Sequence, residues 1–178
     1  MRPGDNLSRE LQRFREVCLA LEAFVRVGCG PLTTCILVHG GRFICGDKQS
    51  DIKPLFEPLS KAGFAWFTIN YRLAPQHRWP ACAEDVETAI RWVKAHAKEH
   101  KVDAGRIALI GESAGGHLVS WVETRANEDT RFAAVVPFYA PHDLELQVKH
   151  CNMLGESMSE SKTKFTFCCS TGVSNSSG

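Results

Sequence analysis

The sequence predicts an α/β fold: a mostly parallel β-sheet with helices on both faces. Three observations carry that expectation. Apolar, β-rich runs at 35–38, 64–70, 106–110 and 133–138 alternate with stretches of helical period, which is the pattern of a doubly covered parallel sheet. Two of these runs end in glycine-rich turns, at Gly40-Gly41 and at Gly111 to Gly116. The chain also has 178 residues with 44% hydrophobic content, enough to bury one core and too little for two domains.

Taken in order, Leu7, Leu11, Phe14, Cys18, Leu21 and Val25 step by fours and threes, with Ser8 as a candidate cap. The spacing predicts an amphipathic helix within 1–30, either packed on the sheet or used for self-association. Cys35, Ile36, Leu37 and Val38 read as a central strand followed by the loop His39-Gly40-Gly41. A crossover helix is expected over 52–62, tolerant of Pro54 near its start and kinked or shortened by Pro58. The run 64–70 follows Gly63 as a second parallel strand.

Pro80 marks the next helix start. Val86, Ile90, Val93 and Ala97 then recur on one face, with Glu84, Glu87, Arg91 and Lys94 elsewhere. Lys98, His100 and Lys101 fall near its C-terminal end, where positive charge complements the helix dipole. Arg106 to Ile110 forms a third strand, His117 to Arg125 a helix, and Ala133 to Phe138 a fourth strand. Pattern fades after about His150, and 156–178 is rich in serine, threonine and glycine. A core over 31–150 and a flexible tail over 151–178 are expected, with Phe165, Thr166 and Phe167 making one short strand at most.

Composition excludes several classes of function. A formal net charge of +1 gives no reason to invoke nucleic acid or anionic membranes. No stretch approaches the roughly 20 apolar residues that span a bilayer. Arg9, Glu10, Arg13, Arg15 and Glu16 interrupt any signal-peptide core, so the default localisation is cytoplasmic. The eight cysteines form no C-x-x-C pair and suggest neither a disulfide framework nor a metal site; Cys35 and Cys45 read as small core or loop residues.

The chemistry is concentrated at the two glycine turns. Gly111-Glu112-Ser113-Ala114-Gly115 lies between a strand and a helix, the context of a nucleophile elbow that lifts a serine hydroxyl above the sheet. Glycines are needed two residues either side of the serine because a Cβ there would strike the neighbouring strand or helix. The bland alternative is a tight turn holding an ordinary serine. A glycine loop after an earlier strand presents backbone N–H groups to a developing oxyanion, and the residue after the nucleophile, Ala114, adds another. Gly40, Gly41 and Arg42 are the loop candidates. Arg42 replaces a small residue, yet keeps its N–H, and its side chain is expected to face solvent.

His39-Gly40-Gly41, Asn70-Tyr71-Arg72-Leu73-Ala74-Pro75, Trp79-Pro80-Ala81 and the elbow occur in this order. On these residues the stretch from about Pro31 to Glu145 resembles an α/β-hydrolase of the esterase/lipase type, near the hormone-sensitive-lipase-like and feruloyl- or acetyl-esterase-like groups. The resemblance implies carboxylic-ester hydrolysis of a small-molecule substrate by an acyl-enzyme on Ser113, a Ser–acid–His triad, and no cofactor. It implies that His39 orients the oxyanion turn, and that Arg72 and Asp85 form a structural ion pair behind the site. It also places antiparallel strands before the His-Gly-Gly strand, where the heptad stripe stands in this sequence.

The resemblance is C-terminally incomplete. Only about 65 residues follow Ser113, short for the two strand–helix units that carry the acid and the base in the order Ser, Asp or Glu, His. Asp143 stands after a strand and reads chiefly as a loop or helix-start residue. His142 is adjacent to it, which does not bring it to the serine. His117, one turn after Ser113, reads as a packing or hydrogen-bonding residue; His150 would have to fold back over the sheet. Three readings stand open: a working serine esterase, a truncated homologue with little turnover, and a non-enzymatic binding or assembly module.

Overall fold

The computed structural model describes residues 22–25 and 30–153. Its elements are β1 (Glu22–Phe24), β2 (Leu32–Val38), a 3-10 turn (Lys53–Leu55) leading into α1 (Phe56–Lys61), β3 (Ala65–Ile69), α2 (Ala81–Ala95), β4 (Val102–Glu112), α3 (Ala114–Thr124), β5 (Ala134–Phe138) and α4 (Leu144–Met153). The sheet order is β1-β3-β2-β4-β5. β1 pairs antiparallel to β3, and every other pair is parallel. The mixed, mostly parallel sheet is the architecture the alternating pattern predicts.

Strand alternation sorts the core into two layers. Ile36, Val38, Phe67, Ile69, Ile107 and Leu109 pack with Val86, Ile90 and Val93 of α2 and Leu118, Val119 and Val122 of α3. Cys35, Leu37, Trp66 and Ile110 point the other way, onto Ile52, Leu55, Phe56 and Leu59 around α1. β3 is buried along its whole length. Such strands read as continuous apolar runs, the signal that betrayed them in the sequence.

Four boundaries differ from expectation. Glu22–Phe24 is a strand, so the stripe that ends at Val25 is not helical there. Its helical spacing is overridden by pairing with β3, where Phe24 sits opposite Trp66 and stacks on it. The remainder of that stripe, 1–21, and the tail 154–178 lie outside the described residues. β4 begins at Val102, earlier than the apolar run, because Asp103 to Arg106 belong to an irregular stretch where the register against β2 shifts. The expected helix over 52–62 is a 3-10 turn followed by the short α1; Pro58 falls in its first turn, where no intrahelical N–H is needed. Finally, α4 extends to Met153, past the point where the pattern fades, and is capped by Asp143, whose Oδ1 accepts from the Leu146 N–H at 2.8 Å.

The segment 71–75 is tied to α2 by a buried ion pair. Arg72 Nε donates to both Asp85 carboxylate oxygens at 2.9 Å, and the Arg72 backbone N–H donates to Asp85 Oδ2 at 2.8 Å. Arg72 Nη2 also donates to the Ala81 carbonyl and to Glu84. The side chains are 9% and 8% exposed. Removing one partner strands the other charge, a cost of about 3 kcal/mol or more. Asp85→Ala is therefore expected to lower the urea midpoint by an amount equivalent to about 3 kcal/mol. A change below about 1 kcal/mol would show the pair to be dispensable.

Candidate active site

The parallel register between β2 and β4 sets Val38 opposite Gly111, and β5 continues it with Phe138 opposite Glu112. The chain leaves β2 at His39-Gly40 and leaves β4 at Glu112-Ser113, so the two glycine turns emerge side by side. Their approach is close: a Cβ at Gly40 would stand 3.4 Å from Ser113 Cβ and 3.3 Å from the Glu112 carbonyl oxygen.

Ser113 occupies a strained backbone position, φ 52° and ψ −112°. Its N–H donates to the Phe138 carbonyl at 3.0 Å, and its carbonyl accepts from the His117 N–H at 3.0 Å. The flanking glycines are required as expected. A Cβ at Gly111 would overlap the Gly115 carbonyl, and one at Gly115 would overlap the carbonyl oxygens of Val38 and His39. Ala114 opens α3 and is buried, and as the first helical residue its N–H has no intrahelical partner.

The loop after β2 is held by its carbonyls. His39 Nδ1 meets the Gly40 carbonyl at 2.6 Å, and the buried Tyr71 hydroxyl donates to the His39 and Gly40 carbonyls at 3.1 and 3.0 Å. The two rings stack, 4.3 Å apart. Because a trans peptide sets its N–H opposite its C=O, these bonds turn the Gly40 and Gly41 N–H groups away from Tyr71. The Gly41 carbonyl accepts from the N–H groups of Ile44 and Cys45, both at 3.0 Å, which turns the Arg42 N–H away from them in the same manner. Gly41, Arg42 and Phe43 all have positive φ, at 106°, 56° and 64°. A Cβ at Gly41 would overlap the Cys45 carbonyl, so glycine is obligatory there. The Arg42 side chain is exposed.

The structure thus brings the Gly40 turn beside Ser113; Gly41 and Arg42 continue that loop and Ala114 follows the serine in the chain. The histidines do not join them as bases. His39 is fully buried with Nδ1 committed to Gly40, and His117 Nδ1 meets the Pro141 carbonyl at 2.8 Å while its ring packs edge-on to Phe43 and Trp79. Among the described residues no histidine or carboxylate is hydrogen-bonded to the Ser113 hydroxyl. Sequence reasoning missed the work of Tyr71 and of the Phe138 carbonyl. Tyr71 lies within the Asn-Tyr-Arg stretch, yet its reach to residues 31 and 32 positions earlier has no local signal.

Tyr71→Phe removes one donor from two buried carbonyls and is expected to destabilise the fold by about 1–2 kcal/mol in urea unfolding; an unchanged midpoint would show the hydroxyl to be idle. Burial, the dominant influence, holds both His39 and His117 below the ordinary imidazole value of 6.5, against the raising effect of their backbone hydrogen bonds. The unfolded chain therefore binds more protons just below that value, and stability is fully present above about pH 6.5 and lost as pH falls. Urea midpoints should drop as pH falls from about 7.5 to 5.5, with a slope that two such groups bound at roughly 2.7 kcal/mol per pH unit. A flat profile would contradict neutral, buried imidazoles.

The model of the BD-FAE family matches residues 26–169. The chain is 39% identical over 124 residues to the probable carboxylic ester hydrolase LipM of Mycobacterium tuberculosis, covering 64% of this chain and 29% of that protein. It is 34% identical over 105 residues to the gibberellin receptor GID1 of Oryza sativa subsp. japonica, covering 56% and 29%. The crystal structure of an acetyl ester-xyloside bifunctional hydrolase from Caldicellulosiruptor lactoaceticus is similar with a TM-score of 0.55 and 30% identity, over 63% of this chain and 43% of that one. The chain spans less than a third of the length of these two curated relatives. With a parallel sheet, a serine on a strained elbow and a glycine loop beside it, and a family match across most of its length, the chain belongs to the BD-FAE family of α/β-hydrolases of the esterase/lipase type.

Proposed function

We propose that this protein is a serine hydrolase of small carboxylic esters. The observation that supports the reading is the approach of the Gly40 turn to Ser113, since a glycine loop beside a nucleophile can offer backbone N–H groups to an oxyanion. In the proposed reaction the Ser113 hydroxyl attacks the ester carbonyl carbon and loses its proton. The carbonyl oxygen becomes an oxyanion, stabilised by N–H groups drawn from Gly40, Gly41, Arg42 and Ala114. Collapse of the tetrahedral intermediate breaks the ester C–O bond, the alcohol departs with a proton, and water hydrolyses the acyl-enzyme. Ester chemistry at such a site needs no cofactor. The base that takes the serine proton is not supplied by the described residues, so the reading rests on nucleophile and oxyanion loop.

A second reading is favoured by one finding: a relative on this scaffold is named as a receptor. On that reading the chain is an inactive or weakly active homologue, or a binding module. Even a site without its triad retains a residual ~10³–10⁴-fold effect from oxyanion stabilisation and binding, so slow turnover does not decide between them.

A fluorophosphonate probe does decide. The hydrolase reading expects covalent labelling of the folded protein, abolished by Ser113→Ala, together with a loss of about 10³-fold or more in short nitrophenyl-ester hydrolysis. Folded protein that takes up no probe would remove the hydrolase reading and leave the second one.

A further inference from the structure

We propose that His117 is a positioning residue for the candidate site: donating from Nδ1 to the turn after β5, it presents its ring to Phe43 and so fixes the glycine loop beside Ser113. The purpose rests on the hydrolase reading; the geometry does not. His117 lies one turn into α3, where its backbone N–H donates to the Ser113 carbonyl at 3.0 Å. Its side chain reaches three other segments. Nδ1 stands 2.8 Å from the Pro141 carbonyl oxygen. The ring meets Phe43 edge-on, with centroids 5.7 Å apart and planes at 86°, and meets Trp79 at 6.3 Å and 62°. Elbow, glycine loop, the turn before α2 and the turn after β5 thus converge on one imidazole.

The bond to Pro141 dictates which nitrogen carries the proton. A carbonyl oxygen only accepts, so Nδ1 must hold the hydrogen, and Nε2 is left bare in the neutral ring. Burial, the largest influence, keeps the imidazole below its ordinary value, so it is neutral at neutral pH. The same bond fixes the rotation of the ring, and with it the edge offered to Phe43. Trp79 is also held by Trp121, one turn further along α3, at 4.8 Å and 85°. A phenylalanine at 117 would lack the donor and an asparagine would lack the ring; histidine supplies both.

Phe43 makes this contact matter to the loop. Between 41 and 50 it is the only buried residue, at 4% exposure, so this stretch has a single side-chain anchor in the interior. It adjoins Arg42 and has φ 64°, a left-handed conformation that persists only when its surroundings hold it. Its carbonyl accepts from the Ala74 N–H at 2.8 Å, and its ring rests on His117. The orientation of the Arg42 N–H, a candidate oxyanion donor, follows from that of its anchored neighbour.

Two measurements on the full chain test the proposal. The first needs no substitution in the protein observed. A long-range proton–nitrogen correlation spectrum at neutral pH, with the signal assigned by its loss in His117→Asn, is expected to show His117 protonated at Nδ1 and bare at Nε2. The opposite tautomer, or a charged ring, would overturn the proposal. The second is site-resolved amide exchange in His117→Asn, which keeps a donor near the Nδ1 position and removes the ring. The N–H groups of Ile44 and Cys45, bonded to the Gly41 carbonyl, and of Ala74, bonded to the Phe43 carbonyl, are expected to exchange about fivefold faster or more, with β3 and α2 unchanged. Phe43→Leu should accelerate the same amides, and adding His117→Asn to it should add little, because both act through one contact. Unchanged loop amides, acceleration spread evenly over the chain, or fully additive effects would each overturn the proposal. Where the native chain takes up fluorophosphonate, His117→Asn is expected to do so about tenfold more slowly, and an equal rate would count against positioning. A native chain that takes up none loses the hydrolase reading, while tautomer and exchange still decide whether His117 sets the loop.

Discussion

The parallel pairing of β2 with β4 carries the site. With Val38 opposite Gly111, the chain leaves both strands at the same height, and the glycine loop and the serine turn have no course except past one another. A slip of one residue would reverse every side chain of a strand between the two core layers, so burial of Ile36 and Val38 on one face and Cys35 and Leu37 on the other locks the register. Packing energy thereby sets the geometry of a polar site that contributes little packing itself. The absence of a Cβ at Gly115 completes the arrangement, since it lets α3 close on the end of β2.

Around that register the fold commits polar groups to restraint. Tyr71 holds two loop carbonyls, Arg72 is clamped by Asp85, and the Phe43 carbonyl accepts from the Ala74 N–H at 2.8 Å. The segment 71–75 therefore braces the glycine loop from one side and is itself braced by α2. β5 supports the elbow from the other side through the Phe138 carbonyl. Backbone in left-handed conformations, as at Arg42, Phe43 and Ser113, persists only when its surroundings over-determine it. Here the surroundings come from three different parts of the chain.

How much of this was legible beforehand differed by residue. The two turns, at Gly41 and around Ser113, were readable because strained backbone admits few residue types, and their order in the chain is itself informative. Asp143 was readable as a helix-start residue, since its carboxylate acts within three positions of itself. Glu22–Phe24 was misread: three residues carry too little local preference to resist pairing with β3, and the apolar spacing around them fits a helix equally well. Tyr71 gave no sign of its role, because a hydroxyl that acts at long range leaves no pattern in its neighbours.

By itself the sequence determined the alternation of strands and helices, the layered core, and the two glycine turns that carry the resemblance to α/β-hydrolases of the esterase/lipase type. These are local matters of periodicity and of which backbone angles a residue tolerates. The tertiary structure alone decided that the turn at Gly40 comes beside Ser113, and that His39 and His117 face backbone carbonyls. Each of these depends on strand register and on packing between segments far apart in the chain, and such contacts arise only when the whole sheet closes.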